Sequence, residues 1–226
     1  MRFLLLAALL VLPPAGAGGV APPVPRIGQT TLDAALWQAA ERGDAAQVRD
    51  LLRRDASPDA RREDGRTALT AALGDHVAVA RLLVDAGADP NPQDRERNNA
   101  LLVTGETGSV AMLREVLRAG PDLTRTNRFG GTALIPAADR GHVEYVRAIL
   151  KTDIDVDHVN HLGWTALLEA VLLGDGGARH TEIVRLLLAA GANPSLADRD
   201  GVTPLEHAER RGSTRIAGLL RAAGGR

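Results

Sequence analysis

Cysteine is absent from the 226 residues. That excludes disulfides, thiolate nucleophiles and cysteine-bound metals, and leaves a fold that must hold together without covalent staples. Aromatic residues make up only 2% of the chain, so leucine and alanine must fill the core, and the elements carrying them must pack closely. Neither sign of charge predominates, because 27 basic residues stand against 28 acidic ones. The basic residues come in pairs, such as Arg53-Arg54, Arg61-Arg62 and Arg210-Arg211, interleaved with acids, and that pattern argues against a nucleic-acid footprint. No G-x-S-x-G, P-loop, H-E-x-x-H or G-x-G-x-x-G motif occurs. The sequence therefore points to no catalytic centre and no cofactor.

Long apolar runs are also missing, with one short exception. Residues 3–12 are apolar throughout, preceded by Arg2 and followed by Pro13-Pro14 and Ala15-Gly16-Ala17. Ten residues cannot cross a bilayer, but a positive start, a short apolar run and a small-residue site in that order predict a secretory signal peptide over residues 1–17. Residues 18–30, with Pro22-Pro23 and Pro25, read as a flexible leader. The expected location is the periplasm or outside the cell, with no membrane insertion once the signal is removed.

What the chain has in abundance is repetition. Asp198-Arg199-Asp200-Gly201-Val202-Thr203-Pro204-Leu205-Glu206-His207-Ala208 combines a turn glycine, a threonine able to cap a helix, a proline suited to the first helical position, and Leu205 and Ala208 on one helical face. Leucines equivalent to Leu205 stand at Leu36, Leu69, Leu101, Leu134 and Leu167, at steps of 33, 32, 33, 33 and 38 residues. Before them come Gly65-Arg66-Thr67-Ala68, Arg97-Asn98-Asn99-Ala100, Gly130-Gly131-Thr132-Ala133 and Gly163-Trp164-Thr165-Ala166. Seven residues after most of them stands a glycine, as at Gly43, Gly108, Gly141, Gly174 and Gly212. A second apolar-periodic segment follows each.

This pattern resembles the ankyrin-repeat family over roughly residues 31–223, with a period of about 33 residues. The resemblance implies an all-α solenoid of about six helix-turn-helix repeats with short β-hairpin turns, in approximate units 31–61, 62–93, 94–126, 127–159, 160–197 and 198–226. Departures are local. The second repeat is one residue short before His76, Arg97 replaces a turn glycine, and Asp55 and Asp153 replace helix-ending glycines. Asp33 is expected to cap the first helix over residues 34–42, with Leu32 packing on Trp37. Arg221 occupies a slot that is apolar in earlier repeats, as suits a terminal unit with a polar outer face. Residues 175–179 are an insertion carrying Gly176-Gly177, expected as a mobile loop.

Family members bind other proteins through the hairpin tips and the exposed side of the first helices, so the resemblance implies a monomeric, non-enzymatic module with a protein partner. Four aromatics remain beyond residue 17, namely Trp37, Phe129, Tyr145 and Trp164. The register places Tyr145 on a buried face and Phe129 and Trp164 in adjacent hairpins. Phe129, His161, Leu162, Trp164, Leu172, Leu173, Arg199 and Arg210 are the candidate partner-binding residues. His76, His142 and His180 fall at one repeat position and read as structural. His158 and His161, near Asp155 and Asp157, leave a surface zinc site and a metal-dependent hydrolase as an alternative. A secreted effector acting on a host protein is another. His207 is expected to pair with Glu206 on the helix surface.

Overall fold

Each sequence repeat folds as a helical hairpin, and the hairpins stack side by side. The computed structural model describes residues 27–226 apart from residue 73. The expected signal peptide and residues 18–26 of the expected leader lie outside the described residues. The pairs are α1 (Ile27–Glu41) with α2 (Ala45–Arg53), α3 (Ala68–Ala72) with α4 (Val77–Asp85), and α5 (Ala100–Thr107) with α6 (Val110–Arg118). After these come α7 (Leu134–Asp139) with α8 (Val143–Ile149), α9 (Ala166–Leu172) with α10 (Ala178–Ala189), and α11 (Pro204–Arg210) with α12 (Thr214–Ala222). First helices touch first helices of the next pair, and second helices touch second helices, giving two parallel layers.

Local chemistry starts these helices where the sequence says it should. Asn99, Thr165 and Thr203 cap α5, α9 and α11 by accepting the backbone N–H of Leu102, Leu168 and Glu206. Thr203 and Glu206 form a reciprocal capping box, with Pro204 in the first turn. Asp44 and Ser109 do the same for α2 and α6. The six anchor leucines, Leu36, Leu69, Leu101, Leu134, Leu167 and Leu205, are all buried. Alanines beside them let the layers approach closely. At Gly105 on α5 the approach is closer still, since an added Cβ would lie 2.2 Å from the Ala133 carbonyl oxygen.

The left-handed positions largely follow the register. Asp55 and Arg97 adopt φ of 63° and 61° where other repeats use glycine, and Asp75 takes 111° in the shortened second repeat. Asp153 departs from expectation, because Asp55, Asp75 and Arg97 are the non-glycine residues with positive φ among those described. The chain leaves α8 through successive tight turns instead, with the N–H of Lys151 and Thr152 donating to the carbonyls of Ala148 and Ile149.

Two further expectations are corrected. Helix α1 begins at Ile27, not after Asp33. No proline follows Pro25 to interrupt it, and the Asp33 carboxylate accepts the Ser57 N–H at 2.7 Å in place of capping its own helix. The inter-repeat connections are the short hairpin turns expected, with an isolated antiparallel bridge between Arg61 and Thr67 and no longer strand among the described residues. Finally, 175–179 is not a five-residue loop, since Ala178 and Arg179 already belong to α10, which runs for 12 residues against 7 in α8.

Candidate protein-binding groove

The hairpins between repeats are organised by one side chain each. Asn127 Oδ1 accepts the N–H of Phe129 and Gly131, at 2.9 and 3.0 Å, and Asn160 Oδ1 accepts those of Leu162 and Trp164 at the same distances. Each turn closes around its asparagine and throws the tip residue outward. Phe129 is 56% exposed and Leu162 53%. Neighbouring tips are tied together, because the His161 N–H donates to the Phe129 carbonyl at 2.9 Å and His158 Nε2–H to that of Gly130 at 2.7 Å. Gly130 (φ 75°) admits the stacked His161 ring, which a Cβ would meet at 2.4 Å. Arg128 lays its guanidinium 4.7 Å from the centre of the Phe129 ring while pairing with Glu96.

Behind the two tips lies a groove of about 280 Å³, walled by hairpin residues and by first helices α5, α7 and α9. Phe129, Leu162, Ile135 and Pro136 supply its apolar lining. Glu106, Asp139 and Glu169 supply carboxylates, and Arg140 a cation. Glu169 is 7% exposed. Its Oε1 accepts from Asn160 Nδ2 at 2.8 Å. Burial pushes this carboxyl up to about 7, the nearby Asp139 charge adds to the rise, and the Asn160 hydrogen bond only partly opposes it. Arg140 lines the same groove, but its guanidinium donates to the Glu106 carbonyl at 2.9 Å and it is not among the groups that shift Glu169.

The comparisons with known proteins agree with this architecture. A family model for ankyrin repeats in three copies matches residues 36–127 and 101–198. The chain belongs to the ankyrin-repeat family. It is 44% identical over 188 residues to the ankyrin repeat protein YahD of Escherichia coli K12, covering 82% of this chain and 94% of that protein. Among solved structures it is similar to an ankyrin repeat domain (ABAYE2397) from Acinetobacter baumannii AYE, with a TM-score of 0.82 and 48% identity over 84% of this chain and 98% of that one. The ankyrin repeat domain of Bcl-3, a member of the IkappaB family, superimposes with a TM-score of 0.76 at 29% identity, covering 85% of this chain and 86% of its own. Ankyrin repeats generally mediate protein–protein interaction.

Within this ankyrin array the sequence-predicted residues are placed differently with respect to the groove. Phe129 and Leu162 meet at the groove, while His161, Trp164, Leu172, Leu173, Arg199 and Arg210 do not line it. Trp164 and Leu172 are half-buried, and Leu173 is exposed at the end of α9. His161 is exposed, with its backbone N–H bonded to the preceding hairpin tip. Arg199 lays its stem over Gly163, where a Cβ would meet its Cγ at 2.5 Å, and Arg210 is exposed in the last turn of α11.

The histidines at the start of the second helices have a packing role. The rings of His76, His142 and His180 cover Gly43, Gly108 and Gly141 of the preceding repeat. His142 and His180 also donate through Nε2–H to the carbonyls of Glu106 and Asp139. His158, half of the conceivable zinc pair, is occupied by the Gly130 carbonyl. His207 pairs with Asp198 at 2.6 Å, not with Glu206, whose carboxylate is held by the Thr203 cap. The groove residues missed in the sequence carried a faint signal. Asn160 and Glu169, nine residues apart, occupy the repeat positions that Asp198 and His207 occupy in the next unit.

Proposed function

We propose that this ankyrin-repeat protein is a non-enzymatic interaction module, exported to the periplasm, that holds a protein partner against its hairpins and first helices. The observation that carries this reading is the pair of exposed tips, Phe129 and Leu162, on adjacent hairpins at the mouth of one groove. A soluble protein rarely presents large apolar side chains beside a concavity unless something covers them. Export rests on the order of the features in residues 1–17.

Two measurements test the proposal. A photo-crosslinking residue at position 129 should capture a protein in the native host, whereas one at Glu144, on the second-helix layer, should not. Capture at both positions, or at neither, counts against the groove. N-terminal sequencing of protein from the native host should find a chain beginning at Gly18; an intact Met1 would remove the export claim.

A further inference from the structure

The groove has an unbalanced interior. Three carboxylates, Glu106, Asp139 and Glu169, line it with a single cation, Arg140, whose guanidinium is already bound to the Glu106 carbonyl. Glu169 is more than nine-tenths buried, and while Oε1 is held by Asn160, its Oε2 takes no hydrogen bond among the described residues. A buried carboxylate without a cation is costly, and a second carboxylate nearby makes it more so. On the helices packed against α9, Arg179 and Arg210 are exposed, Glu182 pairs with Arg147 and Arg185, Glu206 holds the Thr203 cap and Glu209 pairs with Arg221. On α10, His180 is engaged by Asp175 and the Asp139 carbonyl, and on α11, His207 is engaged by Asp198. Beyond α11, Arg211 donates to the Gly174 carbonyl. Asp139, on α7, is the charged group whose field reaches the Glu169 carboxyl.

We infer that the groove recognises its protein partner through a basic side chain, arginine or lysine, seated on Asp139 and Glu169 beside an apolar side chain resting on Phe129 and Leu162. The inference rests on the concave-face reading above and adds the partner's chemistry to it. A cation fits because its charge opposes both causes that raise the Glu169 pKa. It brings an opposite charge into a desolvated site and offsets the field of Asp139. The apolar rim then supplies contact area for the neighbouring residue, and the Phe129 ring, which already stacks a guanidinium from Arg128, can share in holding a planar cation. Seating the cation ionises Glu169, so a proton leaves to solvent as the partner binds. Affinity rises with pH through neutrality.

The test is a random dodecapeptide library displayed on phage and selected against the full chain, with calorimetry on the selected peptides. Peptides that bind the wild type but not the Phe129→Ser, Leu162→Ser double variant identify the groove. Among these, a basic residue next to an aliphatic or aromatic one should recur. Exchanging that base for glutamine in the peptide should cost at least about tenfold in affinity, as should Asp139→Asn or Glu169→Gln in the protein. Glu169→Gln preserves the acceptor for Asn160 Nδ2, and its melting curve reports whether it is folded. Binding to the wild type should strengthen several-fold from pH 6 to 8 and stay flat in Glu169→Gln. Groove-dependent peptides that lack a base, or that ignore both carboxylate variants, overturn this inference and leave concave-face binding standing. A library yielding no binder dependent on Phe129 and Leu162 overturns both.

Discussion

Tyr145 buries its phenol completely, yet the hydroxyl is not stranded. The Thr104 hydroxyl already donates to the Leu101 carbonyl at 2.7 Å, so at 2.9 Å it accepts from the Tyr145 hydroxyl, and the ring is oriented across two repeats. Burial pushes the phenol well above its ordinary range, so it stays neutral. Tyr145→Phe leaves the Thr104 oxygen short of one donor and should cost about 1 kcal/mol by urea denaturation. Tyr145→Ala, which empties a fully packed site, should cost about 3–5 kcal/mol. Equal losses in the two variants would mean that packing contributes nothing here. That Tyr145 is buried could be read from its place in the repeat. That its hydroxyl reaches Thr104 could not, since residues 41 apart in sequence meet only after two repeats have stacked. Phe129 and Leu162 were legible as tip residues for the opposite reason, because each lies within a few positions of its own turn. Glu169 carries no such local mark, since its burial depends on the neighbouring helices that pack over α9.

The second helices are joined by charge where the first helices are joined by alanine. Glu115 on α6 sits with its side chain 6% exposed and receives Arg81 from α4 at 2.7 Å and Arg118 from its own helix. Arg118 reaches on to Asp85. Burial pushes the Glu115 carboxyl up, but the hydrogen bonds from Arg81 and Arg118 together outweigh it and hold the group below its usual value. Removing the acid strands no buried charge, because both arginines are more than half exposed. Glu115→Ala should therefore cost about 1–2 kcal/mol, less than the loss of a fully buried pair, and Arg118→Ala should cost less again because Arg81 still serves Glu115. Chemical denaturation of the two variants checks the order, and a larger loss at Arg118 would reverse the assignment of Glu115 as the hub. At this scale the sequence spoke through its caps and anchors. Thr203, Pro204 and the six leucines set helix starts and faces that the structure reproduces. It misplaced the ends that depend on partners. Asp33 has the chemistry of a cap, but a neighbouring turn takes its carboxylate. The inserted residues have the composition of a loop, but two of them extend α10, whose N-terminal end is braced by Asp175 accepting from Gly177 and pairing with His180.

Across the whole solenoid, two sets of acids pull stability in opposite directions with pH, and neighbour coupling lets a local protonation register in global melting. Hydrogen bonds from Arg185 and Arg147 hold Glu182 down to about 2. Asp198 is lowered first by its bond from His207, Asp175 by His180, and Glu206 by the Thr203 N–H. A carboxyl whose folded pKa is depressed stabilises the fold above its unfolded pKa, and the benefit is lost as pH falls through the folded value. These groups make the protein weaken in acid, below about pH 4. Glu169 has the opposite sign. Its folded pKa is raised from 4.5 to about 7, so its contribution is complete below the unfolded value and drains away as pH rises through neutrality. The melting temperature should therefore peak near about pH 5 and decline toward pH 8. The Glu169 share of that decline is about 2 kcal/mol, or roughly 4–8 °C for a chain of this size. Differential scanning calorimetry of the wild type and Glu169→Gln at pH 5 and pH 8 isolates this share, because the two proteins differ at no other residue. The glutamine variant should keep most of its pH 5 stability at pH 8, and its acid limb should match the wild type's. If the two proteins lose the same number of degrees between pH 5 and pH 8, Glu169 is ionised in the fold throughout. The groove would then hold a solvated carboxylate instead of a buried acid waiting for a cation.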